Sequence, residues 1–163
     1  MEEQLSFFED CKKYVLLSLR EEYYNQMLAG SKKYEYRTRF LKEETIAYIY
    51  ISKTYKKIVA KIEFGEPIIG NAKEIATIAE KEQPGSYQDM IDYMYNDIGF
   101  AIPIKKIIPI EEVSLEELKE KFPDFVPPQC YYILDKKPEL LNYLNNRSEK
   151  EYGKRRWCIK TFQ

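Results

Sequence analysis

Two runs of β-branched and aromatic residues, Ile46-Ala-Tyr-Ile-Tyr-Ile51 and Ile58-Val-Ala-Lys-Ile-Glu-Phe64, stand close together in the chain, separated by the polar, basic stretch Ser52 to Lys57. Residues of this kind pack well on a pleated surface, and a polar break between two such runs predicts a β-hairpin. In the second run Val59, Lys61 and Glu63 are expected to point one way, and Ile58, Ala60, Ile62 and Phe64 the other. A chain with this hairpin at its centre is committed to a sheet.

The remaining pattern adds strands and helices around it. Tyr14-Val-Leu-Leu-Ser-Leu19 predicts a buried strand entering an amphipathic helix, with Glu21 and Glu22 at the positive end of the helix dipole and Gly30 as its stop. Tyr34 to Phe40 alternates strictly, which predicts a strand with Glu35, Arg37 and Arg39 on a charged face. Helices are predicted over 73–81 and 87–95, separated by Pro84-Gly85. A strand is predicted over 99–110, bent or placed at an edge by Pro103 and Pro109. Ser114-Leu-Glu-Glu117 is a capping box opening a short helix that ends near Phe122. Cys130 to Leu134 predicts another strand, Pro138 begins a helix, and Trp157 to Phe162 predicts a final strand. Five or six strands with interspersed helices predict an α+β fold, a small, mostly antiparallel β-barrel with flanking helices. At 163 residues this is one domain.

The chain has no histidine. That removes Ser-His-Asp and Cys-His nucleophile pairs, a histidine general base and every histidine-containing metal site, unless another chain supplies the imidazole. Cys11, Cys130 and Cys158 are odd in number and widely spaced, so neither a disulfide framework nor a Cys-x-x-Cys metal or redox motif is present. Neither a metal nor a cofactor is expected. With cysteines of this kind, an acidic N-terminus without a signal-peptide pattern, and no long apolar run, the expected setting is cytoplasmic and off the membrane. Phe7 and Phe8 are expected to anchor the N-terminus onto the domain.

A formal net charge of -1 argues against a polyanionic partner until the charge is followed along the chain. Residues 31–61 carry a net +6 and 147–163 a net +4, while 1–30 and 62–146 carry -3 and -8. Near-neutrality is therefore a cancellation, and local charge governs phosphate contacts. The most basic segment contains Leu28-Ala-Gly30-Ser-Lys32-Lys-Tyr-Glu35-Tyr-Arg37. Lys32 offers a flexible cation just after the helix stop, Arg37 a planar fork suited to phosphate or base edges, and Glu35 a carboxylate able to orient either. Lys61 and Glu63, on a neighbouring strand, are candidates to complete a Lys/Glu/Arg-lined cleft. The alternative is a solvated strand face with ion pairs of little worth.

Gly30, Lys32, Glu35 and Arg37 match the signature G-x-K-x-x-E-x-R, and with the lead-in strand Val15 to Arg20 the sequence resembles the ASCH family of the PUA-like superfamily. Lys61-Ile-Glu63, Ala101 to Ile104 and Pro127-Pro-Gln-Cys-Tyr-Tyr132 are similar to its later strands. The resemblance covers residues 14–134, leaving 135–163 as a C-terminal helix and basic tail packed on that core. It implies a PUA-like fold and binding of RNA or a nucleotide at Gly30, Lys32, Glu35, Arg37, Arg39, Lys61 and Tyr132. Tyr132 is, by the same resemblance, the best candidate to stack on a base, most other tyrosines being core residues by strand alternation. Some members resemble ribonucleases or amidohydrolases acting on an acetylated cytidine, and for such an enzyme the catalytic candidates are Lys32, Glu35 and Glu63. The amidohydrolase branch has a threonine where this chain has Glu35, so that hydroxyl is missing here. A third class, a sensor of a small anion or metabolite, uses the same cleft. The tail Lys154-Arg-Arg-Trp157 mixes cations and an indole, as a nucleic-acid contact does, or leads into a closing strand.

Overall fold

The computed structural model describes residues 12–95, 98–154 and 160–161, with side chains as far as position 148. Phe7, Phe8 and the Arg155 to Trp157 part of the basic tail lie outside the described residues. In chain order the elements are β1 (Lys13–Leu19), α1 (Glu21–Ala29), β2 (Tyr34–Arg37), β3 (Thr45–Ile51), β4 (Lys57–Phe64), β5 (Ile68–Asn71), α2 (Ala72–Glu82), α3 (Tyr87–Met94), β6 (Ile98–Ser114), α4 (Leu115–Lys121), β7 (Tyr131–Ile133), α5 (Pro138–Lys154) and β8 (Lys160–Thr161). A 3-10 turn, Leu134–Lys136, follows β7. The fold is α+β, a curled half-barrel sheet with five α-helices among the described residues. None of those helices is long and apolar enough to cross a membrane.

The hairpin forms as its sequence predicts, β3 pairing β4 antiparallel from Thr45 opposite Phe64 to Ile51 opposite Lys57. Around it the sheet runs β2-β6-β4-β3-β1-β7, with β5 and β8 added on β6. Only β1 and β3, among the described pairs, run parallel. Among the described residues the sheet has eight strands rather than five or six. The 17-residue β6 is its spine, pairing β2 and β5 with its first half and β4 with its second. Both prolines fall within this central strand, Pro103 paired in regular register with Tyr34 and Pro109 at an irregularity opposite β4. The β4 register shifts between Ile58 and Ala60, beside Pro109, and again between Glu63 and Phe64, where β6 skips Lys105. Bulges of this kind bend a strand and increase its twist, which curls the sheet.

The same bulge corrects the expected faces of β4. Val59 and Ala60 both enter the interior cluster, while Ile58 joins the cluster on the other side of the sheet. Elsewhere alternation holds. Val15, Leu17 and Leu19 with Ala47, Ile49 and Ile51 line the interior under Tyr24 and Met27 of α1. Leu16, Tyr48 and Tyr50 face outward beneath Leu118 of α4 and Leu140 and Leu144 of α5. A third, smaller cluster seats α2 and α3 on Tyr36 and Ala101.

The charged strand is shorter than its alternation predicts. β2 ends at Arg37, and Arg39 lies beyond it, exposed. The chain leaves the sheet so that Phe40 can pack on Phe64 and Tyr131, at ring separations of 6.0 and 5.1 Å. Nor is the charged face solvated: Glu35 is only 5% exposed. Of the expected final strand over 157–162, the described part is Lys160–Thr161, paired with Ile107 and Lys106.

Candidate functional site

Gly30 creates the site. At φ 83° it adopts the left-handed conformation that closes α1, its N–H bonded to the carbonyls of Gln26 and Met27. The N–H groups of Ser31 and Lys32 then both donate to the Gln26 carbonyl, at 3.1 and 3.2 Å. Lys32 is thereby fixed at the negative end of the helix, where a cation is favoured. Its Nζ lies 3.6 Å from Glu35 Oε2, 4.7 Å from the centroid of the Tyr36 ring and 5.6 Å from that of Tyr23.

β2 supplies the rest. Pairing with β6 sets Glu35 beside Ile102, looking toward the principal core, and Tyr36 beside Ala101, toward α2 and α3. Arg37 Nε donates to Glu35 Oε1 at 2.9 Å, Nη2 to the Ser18 carbonyl at 2.9 Å and Nη1 to Cys130 Sγ at 3.5 Å. β2 and β7 are the two ends of the sheet path, so the guanidinium bridges the seam of the half-barrel. Burial works against the Arg37 charge, but Glu35 and then Cys130 and Tyr93 outweigh it, and its pKa lies above the ordinary arginine value. The side chains of Lys32, Glu35 and Arg37 are 11%, 7% and 11% exposed. Glu35 thus holds two cations on one nearly buried carboxylate.

Glu82, the last residue of α2, fastens the start of β2. Its Oε2 accepts from the N–H of Lys33 at 2.7 Å and of Tyr34 at 3.1 Å, and its Oε1 from the Tyr36 hydroxyl at 3.2 Å. Burial and the Glu82 carboxylate raise the Tyr36 pKa far above that of a free phenol. Beside Lys32 opens a hollow of about 370 Å³ whose walls include Tyr23, Gln26, Tyr36, Glu82 and Ser86. The buried Ser86 hydroxyl has no hydrogen-bond partner among the described residues.

No family model and no curated protein sequence matches this chain. Among solved structures it is similar to an ASCH protein of Zymomonas mobilis, with a TM-score of 0.66 over 80% of this chain and 94% of that one, at 23% sequence identity. A serine-to-alanine variant of that protein aligns with a TM-score of 0.67 over 81% and 96% of the two chains, at 23% identity. A tyrosine-to-phenylalanine variant gives 0.67 over 80% and 98%, at 22% identity. The chain has the ASCH-domain fold.

Within that ASCH fold the signature residues Gly30, Lys32, Glu35 and Arg37 converge, and the other candidates do not join them. Lys61 and Glu63 alternate with Ala60, Ile62 and Phe64, which line the interior, so they lie on the outer face of β4, opposite the side on which Glu35 sits. They do not complete a cleft with Lys32. Tyr132 packs at the rim of the outer cluster, its hydroxyl donating to the Val126 carbonyl at 3.4 Å, and it shares a separate recess with Arg39. Sequence reasoning missed Tyr23, Glu82, Ser86, Ser18 and Cys130 as neighbours of the motif. The Pro84-Gly85 break, which turns the chain just after Glu82, was the available signal for two of them. Among the described residues no three acidic or cysteine side chains are grouped to hold a metal ion.

Proposed function

We propose that this ASCH-fold chain binds RNA by taking one nucleotide into the hollow beside Lys32. The observation that carries this reading is the Lys32 ammonium, held by Glu35 and two tyrosine rings at the wall of a recess. A volume of about 370 Å³ falls at the lower end of the range for small-ligand sites. The half-exposed Tyr23 ring offers a π-face to a base, and the ammonium a donor to an anionic oxygen. Glu35 and Arg37 act at one remove, because both carboxylate oxygens and all three guanidinium nitrogens already have partners.

Fluorescence titration of single-stranded RNA and of ribonucleoside monophosphates tests the reading. Lys32→Ala is expected to weaken both by about tenfold or more, the loss of one charge-assisted contact. Equal affinity in Lys32→Ala and the wild type would overturn it. RNA affinity should fall with added salt, whereas tight, salt-insensitive binding of a mononucleotide alone favours a metabolite sensor. Turnover of labelled RNA or N4-acetylcytidine that Lys32→Ala abolishes would make the same residues an active site.

A further inference from the structure

A second recess, of about 480 Å³, lies across the seam from Lys32. Its walls include Arg39, Cys130, Tyr131, Tyr132, Lys136 and Lys137, three cations and two phenol rings without a carboxylate. Cys130 joins it to the first site, because its Sγ accepts from Nη1 of the Arg37 guanidinium, whose Nε donates to Glu35, the partner of Lys32. The cations come from both ends of the sheet: Arg39 follows β2, and Lys136 and Lys137 follow β7. Lys137 Nζ stands 5.1 Å from the centroid of the Tyr132 ring. Asp135, the one acid in this turn, is turned away and accepts from the Tyr14 N–H at 2.8 Å. The only charged residues that the strongly acidic segment 62–146 contributes to these walls are two adjacent lysines, and they meet an arginine from the most basic segment.

We propose that this second recess takes a backbone phosphate of single-stranded RNA whose neighbouring nucleotide occupies the Lys32 hollow, so that the ligand is an oligonucleotide. The inference rests on the RNA reading of that hollow. Arg39 supplies a planar fork for phosphate oxygens, Lys136 and Lys137 supply mobile charge, and the tyrosines supply surfaces for the flanking base.

The test compares ribonucleotides of one, two and six units against the full chain, Lys136→Gln/Lys137→Gln, and the charge-matched control Lys73→Gln/Lys119→Gln. All four lysines are exposed, so neither double variant disturbs the core. The full chain and the control are expected to bind the hexamer well above the monomer. Lys136→Gln/Lys137→Gln is expected to lose about tenfold of that gain, with a log-affinity against log-salt slope shallower by about 0.7, the value for one phosphate contact removed. A slope and gain equal to the control's overturn the proposal, as does equal displacement by polyglutamate, which marks a general anion surface. If the hexamer binds with this lysine dependence while Lys32→Ala has no effect, the hollow reading fails and the recess stands. If no ribonucleotide binds the full chain, both fail.

Discussion

Glu35 is where the site's charge balance is decided. One carboxylate, 5% exposed, faces an ammonium 3.6 Å away and a guanidinium 2.9 Å away, so its removal leaves two nearly buried cations uncompensated. Breaking a buried pair from one side is far more costly than replacing it whole. Glu35→Gln is therefore expected to lower unfolding stability by about 3 kcal/mol in a urea titration, with a smaller loss in Glu35→Gln/Arg37→Gln than the two single losses together. Strictly additive losses would show that Glu35 and Arg37 do not act as a unit. The roles of these residues were partly legible in the sequence. The spacing of Gly30, Lys32, Glu35 and Arg37 named the residues that converge, because all four lie on one short helix-to-strand segment. It gave no hint that the face carrying Glu35 and Arg37 turns inward. That depends on Ser18 and Cys130, which reach Arg37 from 19 and 93 residues away in sequence. That Lys61 and Glu63 lie on the other face from Glu35 was hidden for the same reason: alternation gives a residue's side of its own strand, not which side of the sheet the site occupies.

At the scale of elements, the helix ends are the readable part. Gly30 ends α1 with a left-handed φ of 83°, and Ser114 Oγ accepts from the Glu117 N–H at 3.1 Å to open α4, both as local chemistry dictates. The two ends make a controlled pair of variants. Gly30→Ala and Ser114→Ala are each expected to cost about 1 kcal/mol in stability, the first through the left-handed conformation and the second through a lost cap. Only Gly30→Ala should also weaken nucleotide binding, because Gly30 sets the carbonyl to which Lys32 is anchored; equal binding in both variants would detach the turn from the site. Less legible were the elements without a local signal. β5 is four residues long with mostly exposed side chains, and it is a strand only because β6 offers it a partner. The bulges in β4 are equally silent, since Ile58, Val59 and Ala60 read as ordinary alternation and are displaced by what β6 does around Pro109.

At the scale of the whole molecule, several phenols are enclosed where elements meet. Tyr24 projects from α1 into the interior, Tyr36 lies between the sheet and the helices α2 and α3, and Tyr132 at the rim of the outer cluster. Burial, aided by Glu112, pushes Tyr24 up to about 12, and burial alone pushes Tyr132 up to about 12, from an ordinary value of 10.0. Tyr36 is raised further, by burial and then by Glu82. A raised phenol pKa means that the folded chain retains protons which the unfolded chain has released. The stability these groups contribute is fully present below the unfolded value near pH 10 and is lost as pH rises through the folded value near 12. Because the three belong to different clusters, the loss should be global, not confined to one helix. Urea midpoints followed from about pH 8 upward are expected to stay level with respect to these tyrosines until about pH 10 and then to fall, with the phenolate absorbance of the enclosed rings emerging together with the loss of secondary structure. Tyr24→Phe should flatten the fall, since a phenyl ring has no proton to release. An unchanged alkaline slope in Tyr24→Phe, or phenolate absorbance complete by pH 11 in the folded chain, would show that these rings are open to solvent and that the half-barrel encloses less than its packing indicates.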